Sequence, residues 1–362
     1  MNQKKIYFYP IIVLFFIFSI DKIACIPEFR EAARRSYKPG QNILLGFPKV
    51  WEENKIRQLE NQKIILVTGS SRSEILHEWE EIPVKPTTYN KPVYFETRSA
   101  VKASEYMLNY LLLKGMIDTG FKPNLMFIEF SEEMLNENNS FSYKTKWKEL
   151  MLTEDQLLDI FPVFNPQYKL EIMSRLIFLS YNYHIRPIQG ISNLIKGEKA
   201  SDDLYFIAIS SYLNKKRPFD PNHIGIEIDN FSPQDYESRI INYTKEIQDM
   251  MLRNYRFSDT EFGFLKKIIN LAETHNIPTV IWEPQVHPYY QNLRKSITGG
   301  NLYETILLPQ LNPNSKNIRT ISLNKGNTNC KTYADSSHVS TICVPEIVDK
   351  LLQTAKDIPN FQ

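Results

Sequence analysis

Residues 64 to 76 read IILVTGSSRSEIL, an apolar segment that runs into a Gly-Ser-Ser-Arg-Ser turn and then into a helix start. A serine in such a turn, directly after a buried strand, stands where open parallel sheets bind ligands, outside the carboxyl ends of the strands. Its hydroxyl becomes nucleophilic only beside a base, and the base needs an acid to orient it. The sequence supplies that pair as Asp335 and His338 in DSSH, close before the last helical pattern. An aspartate three residues ahead of a histidine on one loop can hold one imidazole nitrogen and leave the other facing a serine. The same spacing recurs in FDPNHIG as Asp220 and His223, where the Pro-Asn centre reads as an ordinary turn. Order along the chain separates the two copies. Only Asp335 and His338 follow an early strand-Gly-x-Ser turn and precede the terminal helix, which makes Ser71, Asp335 and His338 the candidate catalytic set.

Other residues carry weaker chemistry. Arg72, next to Ser71, is a candidate substrate contact for an anionic group, although it can equally cap a helix or pair with Glu74. His287 in WEPQVHPYY follows a strand pattern and is read first as a structural histidine. Glu129, Glu132 and Glu133 resemble a paired-carboxylate site, but a solvated strand end explains them more simply. His77 and Trp79 lie just past the turn, where they either wall a pocket or pack.

These residues need a frame, and the hydropathy pattern describes one. Ile64 to Thr68, PVYFE at 92–96, PNLMFIEFS at 123–131, PTVIWEP at 278–284 and IRTISL at 318–323 read as strands. Between and after them lie an amphipathic helix over 99–120, a second over 258–276 and a closing helix from Pro345 to Ala355. Strand, helix and strand at this spacing predict parallel crossovers. From about 140 to 215 the pattern is helical, with TEDQLLDIF and YKLEIMSRLIFLSYNYHI, and reads as an insertion. The fold class expected is therefore α/β: a three-layer sandwich around a mainly parallel sheet, carrying a helical insertion. Residues 31–362 form that domain, and residues 1–30 form an N-terminal membrane segment.

In that segment Lys4 and Lys5 precede an uncharged apolar run from Ile6 to Ile20, which ends in Asp-Lys-Ile-Ala-Cys without a small-x-small cleavage site. An uncleaved anchor fits these flanks, extended if Asp21 and Lys22 pair or snorkel. Lipidation of Cys25 is a poorer fit, because Lys22 occupies a position that such processing wants small or apolar. Positive charge on the short N-terminal side places the remainder on the extracytoplasmic side, in a periplasm or cell envelope. In an oxidising compartment Cys330 and Cys343 can close a short loop; otherwise they are two buried thiols.

Composition removes several classes. Lys plus Arg number 43 against 41 Asp plus Glu, a net charge of +2 that gives no field to recruit nucleic acid. No Cys/His cluster has zinc spacing, and with 12 glycines there is neither GxGxxG nor a phosphate loop. No cofactor, metal or nucleic-acid partner is expected.

The Gly-x-Ser turn and the late Asp-x-x-His together resemble the SGNH, or GDSL-like, hydrolase superfamily. GSSRS stands where that family has Gly-Asp-Ser, so the resemblance maps the nucleophile to Ser71, puts Ser70 in the Asp slot, and makes Asp335 and His338 acid and base. The anchor followed by DKIACIPEFR, with GSSRS, LMFIEFSEEMLN, VIWEPQVHPYY and DSSH, is similar to an uncharacterised family of bacterial membrane-anchored SGNH-like proteins. More distantly it resembles the accessory proteins of cell-wall D-alanylation and alginate acetylation. The resemblance implies an SGNH/flavodoxin-like fold and a serine esterase or O-acyltransferase working on an acylated envelope glycan or lipid, without cofactor. It equally allows a non-catalytic scaffold that binds a glycan or a membrane-embedded acyltransferase. The family's oxyanion blocks are missing: FETRSAVKAS replaces the glycine after the second strand, and IEFSEEMLN replaces Gly-x-Asn-Asp after the third. Such donors contribute a few kcal/mol each. The Ser71 N–H, Arg72, Asn136 or an amide near Arg98 are the candidates to stand in.

Overall fold

The computed structural model describes residues 8–35, 63–76, 93–97, 106–139, 151–200, 233–359 and 361. Its elements, in chain order, are α1 (Phe8–Asp21), α2 (Pro27–Ala33), β1 (Lys63–Thr68), α3 (Ser71–Glu74), β2 (Val93–Thr97), α4 (Tyr106–Asp118) and β3 (Leu125–Glu129). Then follow α5 (Glu154–Ile160), α6 (Pro166–Ile177), α7 (Leu179–Asn182), α8 (Pro187–Lys196) and α9 (Pro233–Ile247). The chain closes with α10 (Asp259–Thr274), β4 (Thr279–Glu283), α11 (Pro288–Thr298), β5 (Ile318–Ser322) and α12 (Val344–Ala355). All five expected strands are present within a residue or two of their predicted ends. The helices α9 and α11 were not anticipated. His77, Trp79, Arg98, Asp220 and His223 lie outside the described residues.

The chain divides into two compact units, one of residues 1–42 with 146–212, the other of 43–145 with 213–362. The helical stretch expected as an insertion in a single domain thus shares a unit with the N-terminal segment.

The second unit is α/β. Its five strands are all parallel, in the order β2-β1-β3-β4-β5. Parallel strands covered on both faces lose the polar alternation of half-exposed ones, which is why IILV, LMFI and VIW are continuous apolar runs. On one face Ile65, Val67, Phe127, Val280 and Trp282 join Ile347, Val348, Leu351 and Leu352 of α12 in one core. The alternate residues Ile64, Leu66, Met126, Ile128 and Ile281 are equally buried on the other face. Helices α4 and α10 pack on each other, with Tyr110 and Phe264 rings 5.9 Å apart.

The first unit is helical. Residues Phe8–Cys25 form the one described helix long and apolar enough to cross a membrane, 18 residues with mean hydropathy 1.9. At 1.5 Å per residue they rise about 27 Å, near the ~30 Å of a bilayer's hydrocarbon. Asp21 and Lys22 do pair, at 3.4 Å. They also reach beyond the helix: Asp21 accepts the N–H groups of Leu179 (2.9 Å) and Ser180 (2.7 Å), and Lys22 donates to the Ile177 carbonyl (2.7 Å).

Cys330 and Cys343 are joined as a disulfide, with Cα atoms 5.5 Å apart. The bond closes the loop that carries Asp335 and His338. A loop of this length restrains the unfolded chain by roughly 3 kcal/mol. Replacing both cysteines by serine is therefore expected to lower unfolding stability by about 2–4 kcal/mol in denaturant titrations, whereas dithiothreitol should leave that variant unaffected.

Candidate active site

Strand β1 pairs with β2 on one side and β3 on the other, so the order in which the chain adds parallel strands reverses between β1 and β3. A crevice opens at the carboxyl ends of two such strands. The Gly-Ser-Ser-Arg-Ser turn follows β1, and Ser131 to Glu133 follow β3, at that crevice.

The turn is held from below by a carboxylate. Glu129, the last residue of β3 and fully buried, accepts the Ser70 N–H (2.8 Å), the Ser70 hydroxyl (2.6 Å) and the Ser73 hydroxyl (2.7 Å). Gly69 is required by this approach. A Cβ there would lie 2.3 Å from the Ser73 Oγ and 2.6 Å from the Glu129 Cβ. The Ser70 hydroxyl also accepts the Arg72 N–H at 3.3 Å, capping α3.

Arg72 is turned inward. Its two terminal nitrogens donate to Glu133 at 2.8 and 3.2 Å, and one of them also to Ser131 at 3.2 Å. This geometry does not suit the expected contact with an anionic substrate: the guanidinium is 6% exposed and committed to a buried carboxylate. With Ser70 and Arg72 both pinned to β3 and its continuation, Ser71 is the residue of the turn left facing outward.

Ser71 meets its predicted partners. Its Oγ is 2.8 Å from His338 Nε2, and His338 Nδ1 is 2.8 and 2.9 Å from the two Asp335 oxygens. A proton on Nδ1 serves Asp335 and leaves Nε2 to accept from Ser71. Asp335 is 2% exposed and accepts the N–H groups of Ser337 (2.7 Å) and His338 (2.9 Å). Burial alone would raise its pKa. The hydrogen bond and charge of His338, with the two N–H groups, hold it below the ordinary aspartate value.

The loop is fixed on several sides. A bridge joins Tyr333 to Val339, Gln285 donates to the Cys330 carbonyl (2.8 Å), and the His287 N–H donates to the Ser336 carbonyl (3.0 Å). His287 is structural, as expected: its Nδ1 accepts the Tyr289 N–H at the start of α11, and its ring meets Tyr333 edge-on. Burial lowers its pKa. Helix α9, absent from the sequence reading, brings Tyr236 to the Tyr333 carbonyl (3.2 Å) and the Tyr243 ring to 6.2 Å from the imidazole. Burial, reinforced by the charge of Asp335, pushes the Tyr243 phenol up to about 12, so it stays protonated. Its sequence signal is the Tyr-to-Tyr spacing of seven residues on one helix face.

The carboxylates after β3 are not a solvated strand end. Glu129, Glu132 and Glu133 are all buried, as are Glu283 and Arg294. Arg294 donates to Glu283 at 2.7 Å and lies 3.2 Å from Glu132, and Tyr290 donates to Glu133. Burial raises Glu132 despite Arg294. For Glu133 the burial penalty is outweighed by the charges of Arg72 and Arg294, which hold it far below the ordinary glutamate value. The signal for this cluster was the placing of Glu129 and Glu283 at the same carboxyl edge of two otherwise apolar strands.

Among the described residues no acceptor engages the Ser71 backbone N–H, whereas the Asn136 amide is spent on the Met251 carbonyl at 2.7 Å. Asn136 is fully buried and its Oδ1 accepts the Asn138 and Arg256 N–H groups at 3.0 Å, so it is held by its own surroundings rather than presented as an oxyanion donor. No described group of His, Cys, Asp and Glu is arranged to hold a metal ion.

The fold is a parallel α/β sheet with Ser71, His338 and Asp335 in hydrogen-bond contact at its carboxyl edge. The model of the family described as protein of unknown function (DUF1574) matches residues 1–354, and the chain belongs to that family. No curated protein matches the chain.

Two outcomes test the ion-pair reading. Arg72→Ala leaves Glu133 short of its nearest cation in the interior and is expected to cost about 3–5 kcal/mol of stability by denaturant unfolding, a loss that a surface substrate contact would not produce. Because the folded pKa of Glu133 is depressed, its stabilisation is complete above the unfolded glutamate value and fades as pH falls below it towards the folded one. The stability gap between wild type and Glu133→Gln should accordingly be constant above about pH 5 and shrink below about pH 4.

Proposed function

We propose that the protein is a membrane-tethered serine esterase or O-acyltransferase of SGNH-like architecture, acting outside the cytoplasmic membrane on an acylated envelope glycan or lipid. The observation that carries this reading is the continuous contact from Ser71 Oγ to His338 Nε2 and from His338 Nδ1 to Asp335. The strand order 2-1-3-4-5 supports the architecture, since it is the flavodoxin-like, doubly wound order of a three-layer sandwich. The apolar helix at the N-terminus supports tethering, and the disulfide supports an oxidising compartment.

In this chemistry Ser71 Oγ bonds the ester carbonyl carbon while its proton passes to His338 Nε2 and the carbonyl π pair moves onto oxygen. The Ser71 backbone N–H is the donor best placed for that oxyanion. Collapse breaks the bond to the alkoxide, which takes the proton from His338 and leaves an acyl group on Ser71. Water or an acceptor hydroxyl then repeats the sequence in reverse. Asp335, ionised and buried, fixes the imidazole and stabilises its cation. The substrate class follows from the tether and from the family resemblance.

A second reading keeps the architecture without turnover: a scaffold that binds a glycan or a membrane-bound acyltransferase. The full burial of Asn136 favours it, because it withholds a side-chain oxyanion donor from the site.

Fluorophosphonate labelling of the full-length protein separates the two. Labelling in the wild type, abolished in Ser71→Ala, reduced roughly 10³-fold in rate by His338→Ala and unchanged in His223→Ala, is the expected result. A folded wild type that takes no label would leave the scaffold.

A further inference from the structure

Two helices of the first unit are built inside out. On α8 the side turned inward carries Gly190 and Asn193, which sit on α2: a Cβ on Gly190 would meet the Ala33 Cβ at 2.3 Å, and Asn193 donates to the Ala32 carbonyl at 2.8 Å. The outward side carries Ile188, Ile191, Leu194 and Ile195, exposed by 87%, 55%, 44% and 81%. Helix α6 repeats the pattern. It buries Arg175, ion-paired with Glu171, beside a single aliphatic residue, Ile172, while Leu170, Met173 and Ile177 form an exposed stripe one turn apart. A helix on a water-soluble surface turns its aliphatic residues to the core and its polar ones outward. Here the order is reversed on α8 and, Ile172 apart, on α6.

The same unit contains the apolar helix, and the connection is stiff. Lys22 and Asp21, at the end of α1, are hydrogen-bonded to the Ile177 carbonyl and to the start of α7, so the exposed stripe of α6 ends beside the point where α1 ends. Exposed Phe178 and Tyr181 continue the apolar surface there, and Tyr is a residue favoured at the level of lipid headgroups. Basic residues follow: Arg186, Lys196 and Lys199 are exposed, with Glu198 beside them and Glu28 and Glu31 on the neighbouring α2, Glu31 paired with Arg34. An apolar face edged by cations suits an anionic lipid surface.

We propose that the apolar faces of α6 and α8 rest in the headgroup and acyl boundary of the bilayer that α1 crosses, so that the first unit is a membrane-seated platform rather than a soluble cap. This goes beyond the single anchor and rests on α1 being a span. The occupant is lipid because the exposed stripe of α6 ends where the spanning helix ends, and the exposed residues of both helices are mainly large and aliphatic.

The test uses full-length protein reconstituted in phosphatidylcholine–phosphatidylglycerol vesicles, with Cys25→Ser as background. Single variants Leu170→Cys, Ile188→Cys and Asn314→Cys carry an environment-sensitive fluorophore; the first two positions are exposed, so labelling should not disturb packing. Emission at 170 and 188 is expected to fall about twofold when shallow nitroxide lipids are included, with position 314 unchanged. Protein that resists alkaline carbonate extraction but shows no quenching at 170 and 188 would overturn the platform while leaving the span intact. Blue-shifted, unquenched labels would mean that protein covers the face, and also overturn it. Extraction by carbonate would defeat the span itself, and the platform with it.

Discussion

One buried carboxylate orders the candidate site. Glu129 takes three hydrogen bonds from the turn after β1, and its approach leaves no room for any side chain at position 69. Because Glu129 ends a strand paired in register with β1, the turn is fixed to the sheet rather than merely to its own residues. Ser71 projects outward as a consequence. The neighbours on either side are drawn inward, Ser70 to Glu129 and Arg72 to Glu133, and the imidazole of His338 occupies the space in front.

A carboxylate in the interior needs cations and donors, and the surrounding cluster supplies both. Arg72 and Arg294 lie among Glu129, Glu132, Glu133 and Glu283, with Tyr290 and Ser322 adding hydroxyl donors. Removing water from so many charges is expensive, and an apolar core of the same volume would be no less stable. Its value lies in direction: hydrogen bonds to carboxylates fix the turn to a geometry that dispersion forces alone would leave loose. The candidate catalytic set is thus seated on a polar, hydrogen-bonded base at the edge of an apolar sheet.

Much of this was legible in the sequence. The five strands announced themselves because parallel strands buried on both faces must be continuously apolar, and Ser71, Asp335 and His338 were legible because an activated serine needs a base and an acid. Two kinds of feature were not. Helices α9 and α11 are polar on average, so PQDYESRIINYTKEI and PYYQNLRKSIT offer few apolar residues to mark them as elements of a core. The buried glutamates and Arg72 were misjudged because charge normally signals solvent, and only the three-dimensional meeting of opposite charges reverses that inference.

The central claim is that Ser71 is an activated nucleophile. Its most direct test is to mix full-length protein with p-nitrophenyl acetate, quench in acid within the first turnover and locate acetyl groups by peptide mass spectrometry. A near-stoichiometric acetyl group on Ser71 that fails to accumulate in His338→Ala is the expected result. No acyl-protein from folded wild type, or an acetyl group on Ser70 or Ser73 instead, would contradict it.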